Sequence, residues 1–404
     1  MKRIFKSFIE LAVLVVFVVM SMNLAGCKPD VTPSLYDPSQ QYLPNPVVDS
    51  LSPSGSALAG VDTVTIYGKN FSADIKQELV FFNSSMVPIV GGTVNKIVVQ
   101  APAMPSDSIA VRVTVNGALL YSPIVTYRLI AAISQFGNLA AAQVAYGICA
   151  GADTSLYAAI SSNGVDRGIF KMTSTGGSSY APATAGLIGW NAIKFGAGGY
   201  LYGVRGNRAI YRFAPGGNAN AQIWVSASSG LFFDIDFDLN NNLWVGGNSQ
   251  YIYRIKPDGS VKAFPFSGNV RSVRYYNGYL YFAANVGTAA SKVFRSPVVN
   301  DSLGTPEVYF DLSSDPTGGN NIYAITFSAD GNMYVGTDSP DYLIVVHPGG
   351  VIERPYSLYV TSGVLNSPCR SFAWIGTDLY ATTPSGKLLK IVARKQGAPY
   401  YGIH

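Results

Sequence analysis

From about Leu129 to His404 one hydrophobic pattern is written six times. An apolar pair one residue apart leads into a Gly/Asn/Asp turn. A strand opening on Leu-Tyr or a close equivalent follows, and then a second strand rich in Ile, Tyr and Arg. The openings are Leu156-Tyr157, Leu201-Tyr202, Leu243-Trp244, Leu280-Tyr281, Met333-Tyr334 and Leu379-Tyr380. Their spacing, roughly 37 to 53 residues, is that of four-stranded propeller blades, and the β-branched and aromatic runs lack the 3.6-residue period of solenoid helices. The pattern predicts a six-bladed β-propeller over residues 129–404.

Within the repeat, the innermost strands are expected to contain Ile148, Ile193-Phe195, Ile235-Phe237, Val273-Tyr275, Ile325-Phe327 and Phe372-Trp374. Third strands are expected around Ile169, Ile210, Ile252, Val293, Ile344 and Leu389. Turns such as Pro215-Gly216-Gly217 and Pro257-Asp258-Gly259 then lead to outer strands such as Gln222 to Val225 and Val308 to Asp311. Ile130 to Ser134 precedes the first blade where an outer strand would sit, so it is expected to complete the sixth blade and leave no open edge. Cys149 and Cys369 fall in neighbouring blades across this seam. A disulfide is open to them in an oxidising envelope, but the register places them at different levels and favours two buried thiols.

Before the propeller, Pro44 to about Arg128 alternates apolar and polar positions in short runs. Val64-Thr65-Ile66-Tyr67, Leu79-Val80-Phe81-Phe82, Lys96-Ile97-Val98-Val99 and Val111 to Val115 read as strands, the last running into the hairpin signal Asn116-Gly117. A segment of this length and texture predicts a small β-sandwich. Leu51-Ser52-Pro53 with Gly55 and Gly60, Val64-Thr65-Ile66 with Gly68 and Phe71, Ala101-Pro102, and Ser122-Pro123 before Tyr127 resemble the IPT/TIG family of immunoglobulin-like domains. The resemblance implies a fold over residues 44–128, and a spacer or binding module as its use. The propeller itself resembles the NHL-repeat type. No Gly-His or Trp-Asp dipeptide recurs as it would in a WD40 protein.

The chain opens on basic Lys2, Arg3 and Lys6, an apolar run from Leu11 to Met22, and Leu24-Ala25-Gly26 before Cys27. This resembles the lipobox of bacterial lipoproteins, which implies removal of residues 1–26 and acylation of Cys27. Several acyl chains give stable anchoring where one gives marginal attachment. Lys28-Pro29-Asp30 loosely resembles the signals that send lipoproteins of Bacteroidetes-type bacteria to the outer face of the outer membrane; the periplasmic face is the alternative. Residues 27–43, with Pro29, Pro33 and Pro38 and no apolar period, read as a tether.

Composition agrees with many short strands joined by turns: 48% apolar and 12% aromatic residues supply a core, while 42 glycines supply turns. A formal charge of +5, part of it in the leader, gives no argument for a nucleic-acid partner. With only His347 and His404 available, neither a Ser-His-Asp triad nor a His-ligated metal is expected. Asp234, Asp236, Asp238, Asn240 and Asn242 faintly resemble a calcium loop, but the run aligns with Ala329-Asp330-Gly331-Asn332 as a blade turn. Asp236 is placed to face the channel, yet no second acid stands at its level for paired-carboxylate glycoside hydrolysis.

The remaining candidate is a binding face. Loops entering the innermost strands and loops joining second to third strands share one face of a propeller. The first set contributes Tyr146, Trp190, Asn191, Phe232, Phe233, Arg271, Tyr323 and Arg370, and the second Arg205, Asn207 and Asn248. Aromatic rings beside Arg and Asn suit a sugar, which offers a C–H face to stack and hydroxyls to hydrogen-bond. Burial of these rings between blades is the alternative for each one. The expectation is an all-β, lipid-anchored surface protein that binds a polysaccharide without a cofactor. An adhesion scaffold for another surface protein and a propeller lyase or hydrolase are the other readings.

Overall fold

The computed structural model describes Val13, Val15, Ser39 and residues 41–402. Cys27 and its expected acylation lie outside the described residues. Among the described residues no helix is long and apolar enough to cross a membrane. Among the described residues, those up to Pro44 group with Gly117–Leu119 as one unit, and Asn45–Asn116 groups with residues 120–402 as another. In the first, the Leu43 amide donates to the Gly117 carbonyl at 2.7 Å.

The second unit opens on a two-sheet sandwich. One sheet runs Val47–Ser52, Thr63–Lys69, Lys96–Gln100, Ile89–Thr93 across its width. The other runs Ser56–Ala59, Val125–Ala131, Ser106–Val115, Glu78–Phe82, Ser85–Val87. Alternation explains the layers: along Thr63–Lys69 the buried positions are Val64, Ile66 and Gly68, and Val64 and Ile66 meet Val80, Phe82, Val111 and Val113 in one core. The Asn116-Gly117 signal does not produce a two-residue hairpin. Val111 instead pairs with Val125 after a longer connection, in which the Ser122 hydroxyl accepts from the Val113 amide at 3.0 Å. A side chain thus substitutes for part of the ladder.

Six blades follow, with inner strands Gln143–Ala150, Ala192–Phe195, Leu231–Phe237, the second part of Val261–Tyr276, Ile322–Phe327 and Ser371–Ile375. Each inner strand packs on the next, and the sixth packs on the first. In the third and fourth blades the strands run together. Leu243–Ile255 pairs at its start with Leu231–Phe237 and at its end with Val261–Pro265, and Asn269–Tyr276 then pairs with Tyr279–Asn285. The all-β sandwich-plus-propeller architecture is as the sequence predicts.

Closure is also as expected in kind, with a shifted start. Ile133, Ser134 and Gln135 pair with Ile391, Lys390 and Leu389 as the outer strand of the sixth blade. Ile130 and Ala131 belong instead to the sandwich, paired in parallel with Leu58 and Ala59. Only Ala132 separates the two roles, because the same strand finishes one sheet before entering the other. A short helix absent from the sequence reading, Ser357–Thr361, locks this junction. Its Tyr359 hydroxyl accepts from the Ala132 amide at 2.6 Å and donates to the Ala59 carbonyl at 2.9 Å. Tyr359→Phe leaves a buried amide without its acceptor, and chemical denaturation is expected to show a loss of about 1–3 kcal/mol.

Candidate functional site

The inner strands share one register. Ile148, Ile193, Ile235, Val273, Ile325 and Phe372 are equivalent and fully buried. Three residues earlier in each blade stand Ala145, Trp190, Phe232, Val270, Ile322 and Cys369, none more than 1% exposed. One position further on, Tyr146, Asn191, Phe233, Arg271, Tyr323 and Arg370 are half-buried or exposed. In four blades the ladder slips there, between Ala145 and Ile148, Phe232 and Asp234, Val270 and Ser272, and Ile322 and Ala324. A bulge sets two residues against one and re-aims a side chain, so in these four blades the position turns out of the blade interior toward the channel mouth, and Asn191 and Arg370 hold the equivalent place in the other two.

At that mouth the Tyr323 ring has the Arg271 guanidinium 5.5 Å from its centroid and the Arg370 guanidinium also at 5.5 Å. The Arg370 amide donates to the Thr382 carbonyl at 2.8 Å, and the Thr382 hydroxyl donates to the Tyr146 carbonyl at 2.7 Å, which joins the sixth blade to the first. On the same face a groove of about 610 Å³ lies over the third and fourth blades, lined by Ser229, Asn248, Ser249, Tyr251, Asn269 and Asn285 among others. The Asn269 and Asn285 Oδ1 atoms are buried and accept no hydrogen bond from the protein. Sequence reasoning had named only Asn248 of this groove. Its signal was the Asn and Ser content at the ends of two adjacent blades.

Five of the expected ligand residues are committed to structure. Trp190 packs edge-on against Tyr211 and Phe213, and Phe232 does so against Tyr253. Arg205, 1% exposed, lies over Trp190 at 3.3 Å and within 3.6 Å of the Asp166 carboxylate. Its charge is neutralised inside the wall. Asn191 donates through Nδ2 to the Phe232 carbonyl at 3.1 Å, and Asn207 donates to the Tyr211 hydroxyl at 2.9 Å. The structure thus corrects the expectation for Trp190, Arg205 and Phe232, because at their register the side chain fills the wedge between blades.

Deeper in the channel, past the level of Asp234 and Ser272, stand Cys149, Lys194, Asp236, Arg274, Thr326 and Ala373 around a cavity of about 270 Å³. Asp234 accepts from the Ser272 hydroxyl at 2.8 Å, the Val273 amide at 3.0 Å and Arg274 Nη1 at 2.9 Å. Asp236 accepts from the Tyr275 amide at 2.8 Å, while its other oxygen is buried without a donor. Burial pushes the Asp236 carboxyl above its usual range against the pull of Lys194 and Arg274. Burial, helped by Arg274, pulls the Lys194 ammonium below its usual value. The segment after the last strand forms the floor: Ala398 donates to the Phe327 carbonyl at 3.0 Å, and Tyr400 donates to the Phe195 carbonyl beneath Lys194. This floor was not legible in the sequence, since nothing in Pro399-Tyr400-Tyr401-Gly402 marks a strand or a motif.

The acidic run makes a blade turn. Asp238 accepts from the Asn240 and Asn242 amides, each at 2.9 Å, and from the Trp244 indole at 2.8 Å. His347 lies between Asn332 and Glu353, at 2.9 and 2.8 Å. Cys149 and Cys369 are separate buried thiols, each pushed up to about 12 by burial.

Comparison with known proteins places the first half of this architecture. Residues 46–128 match the IPT/TIG domain. The chain is also similar in fold to solved propeller-like structures. An auxiliary nutrient binding protein from Bacteroides thetaiotaomicron is 10% identical with a TM-score of 0.50, covering 88% of this chain and 98% of that one. A putative phosphatase from the same bacterium is 13% identical with a TM-score of 0.51 and the same coverage, 88% and 98%. A gluconolactonase from Xanthomonas campestris is 14% identical with a TM-score of 0.49, over 73% of this chain and 91% of that one. Likeness at these identities concerns the fold alone. No curated protein sequence matches the chain.

Two measurements test the assignment of wall and channel residues. Trp190→Ala is expected to cost about 3–5 kcal/mol in denaturant unfolding, the price of a large core cavity. For Asp236 the folded carboxyl titrates above its ordinary 3.8, so as pH rises through that value the unfolded chain ionises first and stability drops. Unfolding from about pH 4 to about pH 7 is expected to show a fall in wild-type stability that is smaller in Asp236→Asn.

Proposed function

We propose that this chain is a lipid-anchored surface protein whose propeller mouth binds a glycan. The observation that carries the reading is the groove beside the mouth, which Asn269 and Asn285 line from the fourth blade. Amide side chains in a concave lining can hydrogen-bond the hydroxyls of a sugar. Asn248, Ser229 and Ser249 add further polar groups, and Tyr251 adds a ring for a C–H face. Tyr146, Phe233 and Tyr323 extend the aromatic surface around the mouth.

Several considerations support binding over bond cleavage. The six mouth positions contain no carboxylate pair of the kind that glycoside hydrolysis uses. Asp234, the nearest inner-strand acid, has both oxygens occupied by hydrogen bonds. The lipobox-like sequence at Cys27 supports display on the outer membrane, with residues 27–43 as tether and the IPT/TIG domain as spacer.

Screening the full chain on a glycan array is expected to return bound oligosaccharides. Asn269→Ala and Asn285→Ala are each expected to weaken the best of them about tenfold, a loss of about 1.4 kcal/mol in titration calorimetry. An array without a bound glycan, or variants that bind as wild type does, would overturn the reading.

A further inference from the structure

The groove supplies amides and hydroxyls, but the mouth beside it supplies charge. Of the six equivalent positions two are cationic and none is anionic: Tyr146, Asn191, Phe233, Arg271, Tyr323, Arg370. The two arginines come from the fourth and sixth blades, and each guanidinium lies 5.5 Å from the centroid of the Tyr323 ring of the fifth. Among the described residues neither guanidinium has a carboxylate within ion-pair distance, and the buried Arg271 Nε has no acceptor. The other arginines of the propeller's inner and second strands do have counter-ions. Arg205 lies against Asp166 and Arg274 against Asp234.

Acids that share this end of the channel are already engaged. Asp234 is taken up by Ser272, Val273 and Arg274. Asp338 accepts from the Asn320 and Asn321 amides at 2.7 and 2.8 Å and from Asn321 Nδ2 at 2.7 Å. Asp234 is balanced by Arg274, and the two guanidiniums beside Tyr323 outnumber the single carboxylate of Asp338, which leaves the mouth with a local excess of positive charge. A guanidinium fork pairs with a planar carboxylate or with a sulfate through two parallel hydrogen bonds.

Resting on the glycan reading above, we propose that the ligand is an acidic glycan, whose carboxylate or sulfate is received between Arg271 and Arg370 while a sugar ring packs beside Tyr323. The neighbouring groove, reached along the same strand from Arg271 to Asn269, holds uncharged parts of the same chain. Charge at the mouth then selects among glycans, and the amides of the groove contribute to all of them.

The test uses the full chain in titration calorimetry with oligogalacturonides, with the same oligosaccharides methyl-esterified, and with κ-carrageenan oligosaccharides, which carry sulfate and no carboxylate. The carboxylate and sulfate arms distinguish the two anionic groups. The expected result is binding of at least one anionic probe about tenfold or more tighter than the esterified one, weakened by raising sodium chloride from about 0.05 to about 0.5 M. Arg271→Gln and Arg370→Gln are each expected to reduce that binding about tenfold, and Arg271→Lys to restore part of it, while thermal unfolding stays as in wild type. Equal binding of charged and esterified probes, or anion binding that both glutamine variants retain, would overturn this inference and leave the glycan reading standing. Binding of neutral array glycans alone would do the same. If neither these probes nor the array glycans bind, both readings fail together.

Discussion

An inner propeller strand is an edge. Its outward side pairs with the second strand of its own blade, and its channel side has no neighbouring strand to complete the ladder. In this chain, side chains of one blade reach across to those peptide groups in the next. Asp234 accepts from the Val273 amide at 3.0 Å, Asp236 from the Tyr275 amide at 2.8 Å, and the Ser272 hydroxyl from the Ile325 amide at 3.2 Å. Across the seam the Ser371 hydroxyl accepts from the Ile148 amide at 3.2 Å. The ring is therefore held by polar contacts at the channel as well as by the apolar wedges behind it.

That constraint divides the inner strands by level. The buried positions carry Trp190, Phe232, Val270 and Ile322, which pack between blades and tolerate no ligand. Channel levels below the mouth carry Asp234, Asp236, Lys194 and Arg274, whose charges are balanced against one another and against backbone amides. Only the bulged level is released from both duties. Its side chains neither fill a wedge nor satisfy a neighbouring amide in most blades, so its residue types are free to serve a ligand.

The two halves of the second unit meet through a shared strand, the Tyr359 hydroxyl, and an apolar contact in which Leu58, Val61 and Ile130 pack with Tyr356, Tyr359 and Ile391. Val125–Ala131 ends the sandwich, Ile133–Gln135 begins the propeller closure, and Tyr359 ties the one residue between them to Ala59. Arg394 adds an ion pair to Asp62 at 2.8 Å. An IPT/TIG domain fixed in this way sets the orientation of the propeller mouth rather than letting it swing on a loop.

Periodicity alone determined the blade number, the residues of each inner strand and the sandwich before them. An alternating pattern and a recurring Leu-Tyr opening are consequences of burial on one side, and burial leaves its mark on every copy. What periodicity does not carry is the difference between adjacent residues at a bulge. Ile322 and Tyr323, or Phe232 and Phe233, are neighbours in the same apolar approach, yet one faces a wedge and the other the mouth. The groove of Asn269 and Asn285, the Arg271–Tyr323–Arg370 cluster and the floor built by Tyr400 join blades that are distant in the chain. Only closure of the ring brings them together, because their contacts are set by where each blade lies around the axis and not by any local preference of the chain.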